Sequence, residues 1–506
     1  MSGAATIGAR IAQWPEVIKM AGIRIGERWM GRGVERATTE TMIPRYHQAL
    51  DFEALWREFP PAPDYFSGTY RLSRDELRVM QEERFLRQMA RAWQVPFYRR
   101  HWSAAGMEPG DVRGLDDLAR IPPFSVHDLR ASVTDDPPWA DYIGIDPAAD
   151  APLPLILQTS GGTTGLPRPM IFTPRDREVM NIITGRRLYM QGVRPFDLVQ
   201  VALSMGLTNG GVLAREGIWK YTGAIPVMTG SGAQTPTRRQ IELLKAWKAK
   251  FLIGFPAYLR HMGLVARDEL KIDPRELGIK GLIVHLGTDD RPSLEALWGA
   301  DVYDTYGCNE CGTMAAECSH KRGMHVFEDA FVLEVNDPET LQPKREGERG
   351  VVFITTLFKY AAPMIRYNMN DITSLASGEC PCGSMHRCLT AIYGRSDNMV
   401  KLRGVNVFPE AIGAIIGEDR RSNGEYVCVL ERAEGGAEIM TVLFETLDRG
   451  EPSQAIETEL AERLKEALGV RLTVKAVERG GLNHLTGLSQ TSKIKRLIDR
   501  REPSSS

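Results

Sequence analysis

The segment 158–173, QTSGGTTGLPRPMIFT, constrains this chain more than any other. Leu153-Pro154-Leu155-Ile156-Leu157 before it and Met170-Ile171-Phe172 within its end are short apolar runs, the pattern of two buried strands joined by a polar loop. Ser160, Gly161, Gly162, Thr163, Thr164 and Gly165 make up that loop. Glycines let successive backbone N–H groups converge, and the hydroxyls add donors at the same place. Such a concavity suits an anion with several oxygens, a triphosphate above all. The loop is not a P-loop of the usual kind, because Leu166 stands where the lysine would be and no helix pattern follows at once. Taken alone, the same composition also describes a plain flexible loop.

The rest of the chain narrows the choice. At 506 residues there is room for about three average domains, or for one large unit and a smaller one. With 43% hydrophobic and 25% charged residues the composition is that of a globular protein. A net charge of −2 supplies no general attraction to nucleic acid. Seven cysteines, six of them within 308–388, are not spread like a secreted disulfide framework. No secretory signal is visible, and no apolar run approaches the roughly 20 residues of a membrane span. A cytoplasmic location is the expectation.

In chain order, 7–32 has helical periodicity, with Ile7, Ile11, Trp14, Ile18, Ala21 and Ile25 on one face and Arg10, Lys19, Arg24 and Arg28 outside it. Such a basic amphipathic helix suits a membrane surface or a partner, but packing on its own domain is the favoured reading. Pro60, Pro61 and Pro63 make 38–70 irregular, and a helix capped by Ser73 follows over 72–93. Buried strands are predicted at 198–203, 251–254 and 281–286, with helices at 238–250 and 256–266 between them, an α/β alternation around parallel strands. The loop at 286–289 then ends a strand where open α/β sheets commonly bind ligands. Toward the C-terminus, strands at 426–431 and 438–445, a helix face of Ile456, Leu460, Leu464 and Leu468, and alternation at Val470, Leu472 and Val474 make a small α+β unit. The fold class is therefore α/β: a large multilayer N-terminal domain with parallel sheets and a small α+β C-terminal domain.

The stretches VPFYRRHWSAAG at 95–106 and LDDLARIPPFSVHDLR at 115–130 resemble the N-terminal region of phenylacetate–CoA ligases, aryl-CoA ligases of the adenylate-forming superfamily. The resemblance continues at intervals over 95–501 and leaves the first 70 residues outside. Within it, DVYDTYGCNECG at 301–312 matches the family's Tyr-Gly-x-x-Glu at Tyr306, Gly307 and Glu310. This implies that Tyr306 stacks near adenine and that Glu310 helps hold Mg²⁺, an oxygen-seeking cation. APMIRYNMND at 362–371 resembles the family's Arg-Tyr-x-x-x-Asp, which implies that Asp371 accepts from the ribose hydroxyls. YGRSDNMVKLRGVNVFP at 393–409 is similar to the family's hinge: Arg395 toward ribose or phosphate, Asp397 as pivot, and Arg403, Gly404 and Val405 lining the thiol's entry. The closing GLSQTSKIKRLIDR puts Lys493 at the catalytic position; Ser492 replaces the usual glycine, which leaves Lys495 as a second candidate. Ser160, Gly162, Thr163, Thr164, Gly165, Gly307 and Asp289 complete the implied ATP site.

What the resemblance implies is a division into an extension (1–70), a large adenylation domain (71–396) and a small, mobile domain (397–506) that carries the catalytic lysine. The activity would be ATP-dependent activation of an aromatic or arylacetic acid, followed by transfer to coenzyme A. Amide synthetases and carrier-protein loading enzymes share the first half and remain the alternative. Segments 204–209, 255–258 and 286–289 flank the motifs, so Met205, Thr208, Asn209, Phe255, Tyr258 and Gly287 are the expected acid pocket. Cys318, His325, Cys380 and Cys382 suit a structural Zn²⁺, with His320 as rival to His325, and free buried thiols are the plainer alternative. Cys308 and Cys311 lie inside the adenine motif, where a metal knot would obstruct ATP. The partners expected are small molecules, without nucleic acid or a membrane span, and a homodimer is compatible with all of this.

Overall fold

The computed structural model describes residues 45–133, 140–145, 153–159, 167–398, 400–402, 405–432, 438–447, 453–487 and 494–501. The amphipathic segment 7–32, the loop 160–165, Arg403, Gly404 and Lys493 lie outside the described residues. The scaffold of the large unit is an eight-stranded sheet in the order β13-β9-β8-β7-β6-β5-β3-β4. Its strands are β3 (Leu198–Val201), β4 (Ile225–Met228), β5 (Phe251–Ile253), β6 (Gly281–Val284), β7 (Asp301–Cys308), β8 (Gly312–Glu317), β9 (Met324–Val326) and β13 (Cys388–Leu389). From β4 to β7 every pairing is parallel; from β7 onward every pairing is antiparallel. The parallel half matches the strands expected at 198–203, 251–254 and 281–286. Their near-continuous apolar runs are what a sheet covered on both faces requires.

The strands flanking the glycine-rich loop, β1 (Ile156–Thr159) and β2 (Pro169–Phe172), pair with each other as an antiparallel ribbon. A long helix, Pro174–Met190, begins two residues after β2, and Thr173 and Asp176 form its capping box. The sequence pattern hides it because Asp176, Arg177, Glu178, Arg186 and Arg187 are buried along with its apolar residues. A helix enclosed on all sides has no polar stripe to read. A second sheet, β10 (Phe331–Asn336), β11 (Gly350–Thr356), β12 (Tyr367–Thr373) and β14 (Gly394–Arg395), is antiparallel.

Residues 45–70, set apart by sequence as part of an extension, are part of the large unit. Leu55, Phe59, Tyr65 and Tyr70 are buried in its main core with Phe85, Tyr98 and Phe327. Prolines break the segment into short helices without expelling it from the core. Beyond Asn398, a hairpin of β15 (Val400–Leu402) and β16 (Val405–Val407) leads into a sheet ordered β19-β18-β17-β20. Its strands are β17 (Ser422–Arg432), β18 (Glu438–Thr446), β19 (Thr473–Val477) and β20 (Leu497–Asp499). Val400, Leu402, Phe444, Leu460 and Val474 belong to one core, separate from those of the large unit. Among the described residues no helix is long and apolar enough to cross a membrane.

Candidate active site

Three motif strands converge. β7 delivers Tyr306 to β12, where its hydroxyl donates to Asp371 Oδ2 at 2.7 Å. Burial and the Asp371 charge push the Tyr306 hydroxyl well above its ordinary pKa, so it remains a donor. β14 pairs with β12 in the register Asp371↔Arg395, and Arg395 Nη1 reaches Asp371 Oδ1 at 3.2 Å. The same guanidinium holds Asp397 through Nη2 at 2.6 Å and Nε at 2.8 Å. A continuous line of polar contacts therefore runs from Tyr306 through Asp371 and Arg395 to Asp397. Tyr306 is itself buried and lies parallel to His285, ring centres 6.0 Å apart, so the residue expected against adenine also orients the aspartate expected on ribose.

Glu310 follows β7 and is 7% exposed. Burial raises its pKa, but the charge of Arg168 outweighs that and holds the carboxyl below the usual range. The Arg168–Glu310 pair is direct, with side chains 2% and 9% exposed. Arg168 Nε and Nη1 are buried and have no hydrogen-bond partner among the described residues. From the opposite side Lys359 Nζ donates to the Glu310 carbonyl at 2.7 Å. Gly307 is required by packing, since a Cβ there would lie 2.3 Å from the Gly312 carbonyl oxygen. Neither Arg168 nor Lys359 is distinguished in sequence as a site residue; a basic residue closing the glycine-rich segment was the one legible signal.

The residues expected around the acid divide. Asn209, at the start of the helix Asn209–Tyr221, is buried and tied to the Glu310 loop: its N–H meets Asn309 Oδ1 at 3.0 Å and its amide donates to the Asn309 carbonyl at 3.1 Å. Thr208, Met205, Phe255 and Gly287 are half-buried around the carboxyl ends of β3, β5 and β6. Tyr258 departs from the expectation. It belongs to the core behind β5, and its hydroxyl contacts Thr237 and Gln240 at 3.1 and 3.0 Å. The helix Pro256–Leu264 directs it there because side chains two residues apart point to different faces. Asp289, expected at ATP, is 3.4 Å from Arg260.

The cysteine cluster is separate from this line. Ligand atoms of Cys318, His325, Cys380 and Cys382 all lie within 4.8 Å of one another. Cys318 and Cys380 sulfurs are 3.6 Å apart, and Cys382 Sγ is 3.4 Å from His325 Nε2. Tetrahedral zinc with bonds near 2.3 Å would set its ligand atoms roughly 3.5–3.8 Å apart, so the set fits that ion. His320 is exposed and outside the cluster, which selects His325.

A sheet that is parallel in one half and antiparallel in the other, joined through Tyr306 to the Asp371–Arg395–Asp397 line on the second sheet and so to a small separate α+β unit, is the arrangement of an adenylate-forming enzyme. Residues 404–501 match the family described as AMP-binding enzyme C-terminal domain. The chain is 30% identical over 459 residues to a phenylacetate–coenzyme A ligase of Aromatoleum evansii, covering 87% of this chain and 98% of that protein. With the Thermus thermophilus phenylacetate–coenzyme A ligase it shares 31% over 456 residues, 85% and 98% of the two chains. It belongs to the phenylacetate–CoA ligase family. Solved 2-hydroxyisobutyryl-CoA ligase in its postadenylation state with 2-HIB-AMP superposes with a TM-score of 0.77 at 28% identity, covering 87% and 94% of the chains. In the thioesterification state with CoA the TM-score is 0.63, covering 86% and 91% at 29% identity.

Proposed function

We propose that the chain activates an aromatic or arylacetic carboxylic acid with ATP and transfers the acyl group to coenzyme A. The observation that carries this reading is the contact line Tyr306–Asp371–Arg395–Asp397, which joins the nucleotide motifs of the large unit to the start of the small one. A carboxylate is a poor electrophile because oxide would have to leave. Attack of its oxygen on the α-phosphorus of ATP expels pyrophosphate and leaves an acyl adenylate. The CoA thiol then attacks the acyl carbon and AMP departs.

Asp371 accepts from the ribose hydroxyls while Tyr306 and Arg395 hold its orientation. Glu310 is the carboxylate that would take Mg²⁺, which would screen the approach of two anions. Its partner Arg168 has two buried donors with no partner among the described residues, and these could serve phosphate oxygens without breaking the pair with Glu310. Lys493 neutralises charge developing on the phosphorus oxygens, with Lys495 as second candidate. Asp397 is the pivot about which residues 397–506 turn between half-reactions, withdrawing Lys493 and presenting the Arg403-Gly404-Val405 loop to the thiol. The better superposition on a postadenylation relative than on a thioesterification one supports such alternation. Met205, Thr208, Asn209, Phe255 and Gly287 border the acid. Zn²⁺ at Cys318, His325, Cys380 and Cys382 would tie strands together and supply no step.

ATP–pyrophosphate exchange over a panel of aromatic acids tests the first half, and AMP release with free CoA against amines tests the second. Exchange that depends on an aryl acid, with AMP release that depends on CoA, is the expected result. An amide product, or AMP release indifferent to CoA, would replace the thiol acceptor.

A further inference from the structure

Where the two units meet, four charged side chains face one another, and the chemistry above leaves Arg260 without a task. Arg260, on the helix Pro256–Leu264, is 5% exposed, with Nη1 3.4 Å from Asp289 Oδ1. Its guanidinium lies against the small unit: a Cβ at Gly424 would come within 2.9 Å of Arg260 Nη1. Gly424 has φ +81, a conformation that favours glycine and lets the arginine approach the backbone. The next residue, Glu425, is buried and paired with Arg496 at 3.1 Å, and Arg496 also donates to the Tyr426 carbonyl at 2.7 Å. Burial raises the Glu425 pKa, while Arg496 and Arg260 both pull it down and Asp289 pushes it up. The four groups thus form one network, two carboxylates and two guanidiniums, contributed equally by the two units. Arg260 Nη2 is buried with no partner among the described residues. At the rim Arg479 pairs with Asp268 at 2.8 Å, beside a cavity of about 330 Å³ lined by residues of both units, among them His261, Asn423 and Glu445.

Arg496 stands three residues after Lys493 and immediately before β20; its carbonyl accepts from Cys428 N–H at 2.9 Å, at the start of the β17–β20 pairing. Whatever holds Glu425 and Arg496 in place therefore sets where the chain enters β20, just past Lys493. Deleting Arg260 would leave the Asp289 and Glu425 charges, which repel each other, opposed by Arg496 alone.

We infer that Arg260 is a positioning residue: it holds the small unit in the orientation that forms the adenylate and takes no part in thioester formation. The inference rests on the two-step activity proposed above. Arg260 acts through Glu425 and Arg496 and touches no substrate. When the small unit turns about Asp397, the arginine loses its neighbours across the seam and keeps only Asp289.

The test separates the half-reactions. In single turnover, Arg260→Ala is expected to slow pyrophosphate release roughly 5- to 150-fold, the range of ordinary coupling between two sites. Thioester yield from supplied acyl adenylate and CoA should stay at the wild-type rate. Arg260→Lys keeps the charge without the planar fork and should recover part of the loss. Gly424→Ala, whose Cβ displaces the guanidinium from the other side, should reproduce the split and serves if Arg260→Ala does not fold. Equal losses in both half-reactions, or unchanged pyrophosphate release, would overturn the inference. A wild-type enzyme that forms adenylate but no thioester would overturn the CoA reading instead, with pyrophosphate release still reporting on Arg260.

Discussion

The proposed nucleotide face of the large unit and the proposed pivot that leads out of it are held together in opposite ways. Glu310 and Arg168 form a pair with side chains 9% and 2% exposed, supported by Lys359 behind it. Arg395 and Asp397 also pair, but their side chains are 29% and 32% exposed. A buried ion pair is costly to break because either partner alone is a desolvated charge; an exposed one contributes about 0–1 kcal/mol and is exchanged readily. Groups that must present the same face to nucleotide throughout a reaction sit in the core. Groups about which the small unit is proposed to turn sit where partners can change cheaply.

The largest effect is expected outside both regions, at the proposed zinc site. Protein purified without added zinc should contain about one zinc per chain, and stripping it should cost several kcal/mol of stability, since binding energy at such a site is folding energy. Metal analysis and melting temperature before and after chelation check this; metal-free protein of full activity and unchanged melting would end the idea. Next comes Arg168→Met, which leaves Glu310 buried and unpaired and should cost about 3–5 kcal/mol in urea unfolding. The sign with pH follows from Glu310's lowered pKa. In the wild type this contribution is present above the ordinary glutamate range and is lost as pH falls through the folded-state pKa, so the variant should show a flatter acid limb.

Smaller in energy but sharper in kind is the split between Lys493 and Gly404. Lys493→Ala should slow adenylate formation on the order of a hundredfold or more and spare thioester formation from supplied adenylate. Gly404→Leu should do the reverse by narrowing the thiol's entry. Single-turnover pyrophosphate release and thioester yield measure the two; equal impairment of both by Lys493→Ala would move the assignment to Lys495. Asp371→Asn should raise KM for ATP about tenfold, the scale of one or two charge-assisted hydrogen bonds, and leave KM for the acid unchanged. At the pivot, Asp397→Ala should change stability by at most about 1 kcal/mol. A loss as large as that of Arg168→Met would erase the contrast.

Much of this arrangement is legible without coordinates, and the exceptions share a cause. The parallel strands, the capped helix Arg74–Ala92 and the small α+β unit follow from apolar period and end signals, all of them local. Helix Pro174–Met190 does not, because burial on every side removes the polar stripe that periodicity needs. Tyr258 was expected in the acid pocket for its nearness to a motif, and the helix turns it into the core instead.

The order of motifs, the α/β class and the residue types for nucleotide, metal and thiol were determined by the sequence itself. Each is written in consecutive residues, where backbone geometry and hydrogen-bonding chemistry act at short range. Which partners those residues take was decided only by the tertiary structure. His325 and not His320 joins the cysteines, because β9 pairs with β13 in the register Cys388↔His325 and so brings that histidine to the cluster. Arg168 meets Glu310 across 142 positions, and Arg260 meets Gly424 across a seam between two cores. A charge finds its counter-charge by burial and packing, which depend on all the elements around it, and no local pattern along the chain carries that information.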